Sequence, residues 1–160
     1  PVVFVRTKKI GGKAYAYLVE NHWEGGRARQ KVKQYLGRVH TPIKKDDLVA
    51  PDLKTHAFST AVQTLIAHEL QRHGFAANDN TLVNDGIVVN VQEGVVHRNG
   101  KPAALRLNEG ILCSYTLGQL LQYTPAENEG ALFARRLVEA GLSVPQETFV
   151  TLFQKAQPSE

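Results

Sequence analysis

Alternating apolar and polar positions open the chain. Residues 2–10 are β-branched and apolar at their start, Gly11-Gly12 is a two-residue turn signal, and residues 13–21 alternate on the way back. Trp23-Glu24-Gly25-Gly26 supplies a second turn, and residues 27–39 run out as a third strand. This predicts a three-stranded antiparallel β-meander. A strand period of two then sorts the side chains of the third strand. Arg27, Arg29, Lys31 and Lys33 fall on one face as a basic ladder, with Ala28, Gln30, Val32 and Gln34 on the other. On the second strand Tyr15, Tyr17 and Val19 share one face and Ala14, Ala16 and Leu18 its opposite. The sequence leaves open which of these two sets lies beside the ladder.

After residue 39 the periodicity lapses. Pro42, Pro51, Lys44-Lys45 and Asp46-Asp47 mark residues 40–56 as a linker, with a domain boundary near residue 45. A linking helix is expected over residues 53–73, with Phe58, Ala61, Val62, Leu65, Ile66 and Leu70 on one stripe and Gly74 as its stop. Residues 76–85, rich in Asn and Asp, read as a loop. Strands follow at 87–91, 95–97 and 103–107, with turns at Glu93-Gly94 and Asn99-Gly100, a second small meander. Leucine spacing suggests a helix over 112–123, weakened by Gly118. Thr124-Pro125-Ala126-Glu127 matches a capping box for another helix ending at Gly141, and a last helix starts at Ser143-Val144-Pro145. The fold class expected is α+β: an N-terminal three-stranded meander, a linking helix, a second small β-meander, then C-terminal helices. Residues 1–45 form a basic module and 46–160 an α+β domain for partner binding or dimerisation.

Charge sharpens this division. The first 45 residues hold eleven basic side chains (Arg6, Lys8, Lys9, Lys13, Arg27, Arg29, Lys31, Lys33, Arg38, Lys44 and Lys45) against Glu20 and Glu24, a balance of +9. The other 115 residues carry 8 basic and 13 acidic side chains, a balance of −5. Such asymmetry points to a polyanionic partner, nucleic acid (DNA or RNA) before an acidic protein. No apolar run of about 18 residues is present, so no membrane span is expected. The first residues lack a signal-peptide layout, which makes the cytoplasm the expected location.

The stretch Phe4-Val5-Arg6-Thr7-Lys8-Lys9-Ile10-Gly11-Gly12-Lys13-Ala14-Tyr15-Ala16-Tyr17-Leu18-Val19-Glu20, continued by Glu24-Gly25-Gly26-Arg27-Ala28-Arg29-Gln30-Lys31-Val32 and Gln34-Tyr35-Leu36-Gly37-Arg38, resembles a known pattern. It is similar to the N-terminal β-sheet segment of insertion-sequence transposases and of some small archaeal proteins. In such transposases a large catalytic domain with three acidic metal ligands follows. The 115 residues here are too few for that domain, so the resemblance implies nucleic-acid contact without catalysis and slightly favours DNA. The positions it marks are Arg6, Lys8, Lys9, Tyr15, Tyr17, Arg27, Arg29, Lys31 and Lys33; Lys13, Trp23 and Arg38 join them from the same basic sheet.

Catalytic and cofactor patterns are thin. His68 and His73 are five residues apart, about 140° around a helix, which is wrong for one metal ion and fits a solvated helix end. Cys113, with His97 as its base and Glu109 nearby, is the alternative nucleophile, but Ile111-Leu112-Cys113 reads as a buried structural thiol. No glycine-rich phosphate loop with its lysine occurs, and no cofactor is expected. Trp23 reads equally as an exposed stacking residue or as a plug over the sheet.

Overall fold

The computed structural model describes residues 2–45, 48–125 and 130–156. Its first three strands are β1 (Val2–Ile10), β2 (Lys13–Glu24) and β3 (Arg27–His40), paired antiparallel. Gly11-Gly12 and Gly25-Gly26 make the two hairpin turns with positive φ at both central residues, the conformation that matches strand twist and that glycine adopts without strain. Trp23 and Glu24 belong to β2, so the second turn is tighter than the sequence suggests.

The helix α1 (Phe58–Arg72) begins five residues later than expected. Residues 76–85 are not a loop. They form β4 (Ala76–Asn78) and β5 (Thr81–Asn84), with the left-handed Asp79 and Asp85 at the turns that follow each of them. Short strands among turn-forming residues carry too little alternation to be read from sequence. β6 (Ile87–Asn90), β7 (Val95–Arg98) and β8 (Lys101–Leu107) match the second run of strands. β9 (Gly110–Leu112) takes the start of what reads as helix, leaving α2 (Ser114–Leu121). α3 (Gly130–Glu139) and α4 (Gln146–Ala156) complete the order; the expected capping-box residues Ala126 and Glu127 lie outside the described residues.

The fold is α+β, but its strands are not two separate meanders. Among the described residues nine strands form one mixed sheet in the order β1-β2-β3-β8-β7-β6-β5-β4, with β9 beside β8. The join is a parallel pairing of β3 with β8 through Arg38/Ala103, Val39/Ala104 and His40/Leu105. Sequence periodicity finds strands but does not tell which distant strand an edge will meet, and here the end of β3 meets the buried β8.

β8 is apolar on both sides because both of its faces are covered. Ala103, Leu105 and Leu107 face the main core, which draws Ile66 and Leu70 from α1, Leu117 and Leu120 from α2, Phe133 from α3 and Leu152 from α4. Ala104 faces a second cluster with Ala16, Leu18, Leu36, Val39, Ile111 and Cys113. Burial at about 25 cal/mol per Å² of apolar surface is the main stabilising term on both sides.

Candidate nucleic-acid interface

Register pairing assigns each side chain of the N-terminal sheet to a face, because residues directly opposite in neighbouring strands point the same way. On β1 and β2 the pairs Phe4/Val19, Arg6/Tyr17, Lys8/Tyr15 and Ile10/Lys13 share one face, and Val5/Leu18, Thr7/Ala16 and Lys9/Ala14 share the other. Two register shifts interrupt the pairing of β3 with β2. Tyr17 lies opposite Tyr35 and Tyr15 opposite Arg38, whereas Glu20, His22 and Glu24 lie opposite Lys31, Arg29 and Arg27.

The expected site residues therefore divide between two faces. Arg6, Lys8, Lys13, Tyr15, Tyr17, Trp23 and Arg38 lie on what we call the tyrosine face. Lys9, Arg27, Arg29, Lys31 and Lys33 lie on the ladder face. Tyr15 and Tyr17 are thus not beside the ladder, and the question the sequence leaves open is answered in favour of Ala14, Ala16 and Leu18.

The two faces differ in electrostatics. On the ladder face two of the five cations meet carboxylates: Lys33 Nζ is 3.2 Å from Glu20 Oε2 and Arg29 Nε is 3.6 Å from Glu24 Oε2, while the His22 ring Nε2 lies 3.3 Å from Glu24 Oε1. Both acidic residues of β1–β3 are spent there. The base of this face is also covered, where Val5 and Ala14 pack with Tyr115 against the second core.

The tyrosine face takes no carboxylate from β1, β2 or β3. Its cations touch neutral groups instead: an Arg6 guanidinium N–H donates to Gln30 Oε1 across the sheet, and Lys8 Nζ lies 5.7 Å from the centre of the Tyr17 ring. Tyr17 in turn meets Tyr35 with ring centres 5.4 Å apart and planes tilted by 52°. Burial, and after it the neighbouring Tyr17 and Tyr15, push the Tyr35 phenol above its ordinary pKa, so it stays a neutral hydrogen-bonding group. Trp23 stands 76% exposed at the far end of this face, which settles it as a projecting ring and not a plug. Tyr35, 43% exposed, is the residue that sequence reasoning misses. Strict alternation places it with the ladder; the register shift beside Lys33 turns it over to Tyr17.

At its inner end the tyrosine face runs on through Arg38 to His40. Burial and then the charges of Arg38 and Arg98 hold the His40 pKa below its ordinary value, with Asp85 opposing. Arg98 on β7 has a buried Nε without a hydrogen-bond partner among the described residues. This adds a cation that the sequence analysis does not assign to the site.

The other candidates resolve into structure. Cys113 is fully buried in the second core; its backbone N–H donates to Thr116 Oγ1 at 3.1 Å and its Sγ lies 3.6 Å from the same oxygen, capping α2. His73 does not sit at a solvated helix end. It is buried, with Nδ1 2.8 Å from the Glu69 carbonyl oxygen and 3.4 Å from Glu69 Oε2. Among the described residues no three His, Cys, Asp or Glu side chains gather as a metal site, and no helix is long and apolar enough to cross a membrane.

Comparisons with family models, curated proteins and solved structures return no match. The resemblance of residues 2–39 to transposase N-termini therefore rests on the residues quoted for it.

Proposed function

We propose that this protein binds nucleic acid without acting on it chemically, and that the tyrosine face of its N-terminal sheet carries the contact. The observation behind this reading is the sorting of charge. Arg6, Lys8, Lys13 and Arg38 share a face with Tyr15, Tyr17 and Tyr35, and the acidic residues of the same three strands lie on the other side. Cations without carboxylate partners among the described residues supply what a phosphate backbone neutralises, and aromatic rings among them offer faces to bases or sugars. Arg27, Arg29, Lys31 and Lys33 add to the long-range attraction while remaining partly satisfied within the sheet. DNA is preferred to RNA only through the N-terminal resemblance, since phosphate contacts do not distinguish the two.

The test is a salt titration with charge reversal on each face. Affinity falls linearly with salt on logarithmic axes, with a slope of about −0.7 to −0.9 per neutralised phosphate. Arg6→Glu with Arg38→Glu should weaken binding across all sequences and lower the slope by roughly one per cation removed. Arg29→Glu with Lys31→Glu should weaken it less. Unchanged affinity and slope in the first pair would remove the face assignment, and failure of the parent protein to bind any nucleic acid would remove the reading itself.

A further inference from the structure

We propose that the tyrosine face takes single-stranded nucleic acid in preference to duplex, with bases stacking on Tyr35 and Trp23 and phosphates running toward Arg38 and Arg98. This rests on the reading of the same face as a nucleic-acid surface and adds the class of ligand.

Spacing carries the argument. Side chains on one face of a strand recur every second residue, about 6.8 Å apart. The tyrosine face accordingly has successive levels at Trp23/Ala28, Asn21/Gln30, Val19/Val32, Tyr17/Tyr35 and Tyr15/Arg38, from the hairpin end inward, with Val19 buried and Val32 exposed in the middle one. From Trp23 to Tyr15 these levels span roughly 27 Å at the rise of a strand. Stacked bases of a duplex are spaced by about 3.4 Å, half the interval between levels. A single strand can stretch its bases to meet them; a paired and stacked duplex cannot do so without losing its stacking.

The aromatic groups suit this use. Trp23 and Tyr35 expose ring surface, and Tyr17, held between Lys8 and Tyr35, acts as a positioning residue that fixes the Tyr35 ring. Sequence-tolerant stacking on such rings is the usual means of holding unpaired bases. The sheet is also broad, because β1 runs beside β2 as far as the Val2/Asn21 pair. Only the last residues of the β2–β3 hairpin continue as the two-stranded ribbon that a major groove admits.

The experiment is fluorescence anisotropy of the full chain with a labelled 20-nucleotide single strand of mixed sequence, as DNA and as RNA, and with the matching DNA duplex. The single strand should bind at least tenfold more tightly than the duplex, and its binding should quench Trp23 emission. Tyr35→Ala and Trp23→Ala should each lower single-strand affinity about fivefold or more, the lower end of the effect of one base–aromatic stack, and leave duplex affinity unchanged. Tyr35→Phe should bind as the parent does, and circular dichroism should show all three variants folded. Duplex affinity equal to or above that of the single strand, or parent-like affinity of folded Tyr35→Ala, would overturn the inference. If Arg6→Glu with Arg38→Glu still weakens binding and lowers the salt slope in that case, the nucleic-acid reading stands alone. Binding to neither form overturns both.

Discussion

Gly37→Ala should be the most damaging small change in the N-terminal sheet. Gly37 has φ +118°, and a Cβ there would lie 2.4 Å from the Pro102 carbonyl oxygen, 2.5 Å from its carbon and 2.6 Å from Ala103 Cα. All three are backbone atoms of β8, which cannot swing aside as a side chain would. The strained φ costs about 1–3 kcal/mol, and the overpacking about 1–3 kcal/mol more. A total of about 2–6 kcal/mol is a large part of an ordinary domain's stability of roughly 5–15 kcal/mol. The alternative is to part β3 from β8 and break the three pairs that join the sheet. Gly12→Ala is the control, since Gly12 has φ +80° and nothing within 4 Å of its added Cβ. It carries the strain without the clash. In urea denaturation, with m about 2 kcal/mol/M, Gly37→Ala should lower the midpoint by roughly 1–3 M and clearly more than Gly12→Ala. Equal shifts for the two variants would refute the close approach of β3 to β8.

Two further outcomes follow from buried and half-buried charge. Glu69, 3% exposed on α1, accepts the Ser143 N–H at 2.7 Å and has Oε2 3.7 Å from Arg72 Nη1 and 3.4 Å from His73 Nδ1. Glu69→Ala should cost about 3–5 kcal/mol, as removal of one member of a buried charge group does, while Glu69→Gln should cost less by keeping the Ser143 bond; a loss under about 1 kcal/mol in Glu69→Ala by denaturant titration would count against this. His40 and His68 both have folded pKa values below their ordinary one, by burial first and then by Arg38 with Arg98, and by Arg72, respectively. Between those folded values and about 6.5 the unfolded chain binds more protons, so stability should fall as pH drops through that window. The double variant His40→Asn, His68→Asn should lose less stability between pH 7 and pH 5.5 than the parent, and an equal loss in the two would exclude these histidines as its source.

How much of the site could be read in the sequence turns on β3. The basic ladder is legible because Arg27, Arg29 and Lys31 keep strict alternation, and the Gly-Gly pairs announce both hairpin turns. The partition of the site is not legible, because a register shift is a property of two strands and leaves no mark in either alone. The shift beside Lys33 reverses the phase, sending Tyr35 to Tyr17 and Leu36 inward to the second core, and the second, beside Leu36, returns Arg38 to the tyrosine face. Glu20 and Glu24 look unremarkable in the sequence, yet only pairing reveals that they oppose the ladder and leave the tyrosines without an acidic neighbour from their own three strands. The join of β3 to β8 is equally hidden. Gly37 within Tyr-Leu-Gly-Arg reads as the end of a strand, whereas its missing Cβ is what lets β8 come alongside.

That join explains why a basic hairpin of this kind requires the rest of the chain. A two- or three-stranded ribbon whose outer face is polar has little apolar surface of its own to bury and is marginal in isolation. Here β2 and β3 gain their inner face from Ile111, Cys113 and Tyr115, and their lateral partner from β8, itself fixed by the main core beneath Ala103 and Leu105. The anchoring is confined to the base of the ladder face and to the inner end of β3. On the tyrosine face Arg6, Lys8, Tyr35 and Arg38 remain exposed, as does the hairpin end, and the sheet holds these side chains at fixed spacing. A surface that must accept a long flexible strand gains affinity from such fixed spacing, because its side chains need little further ordering when the ligand arrives.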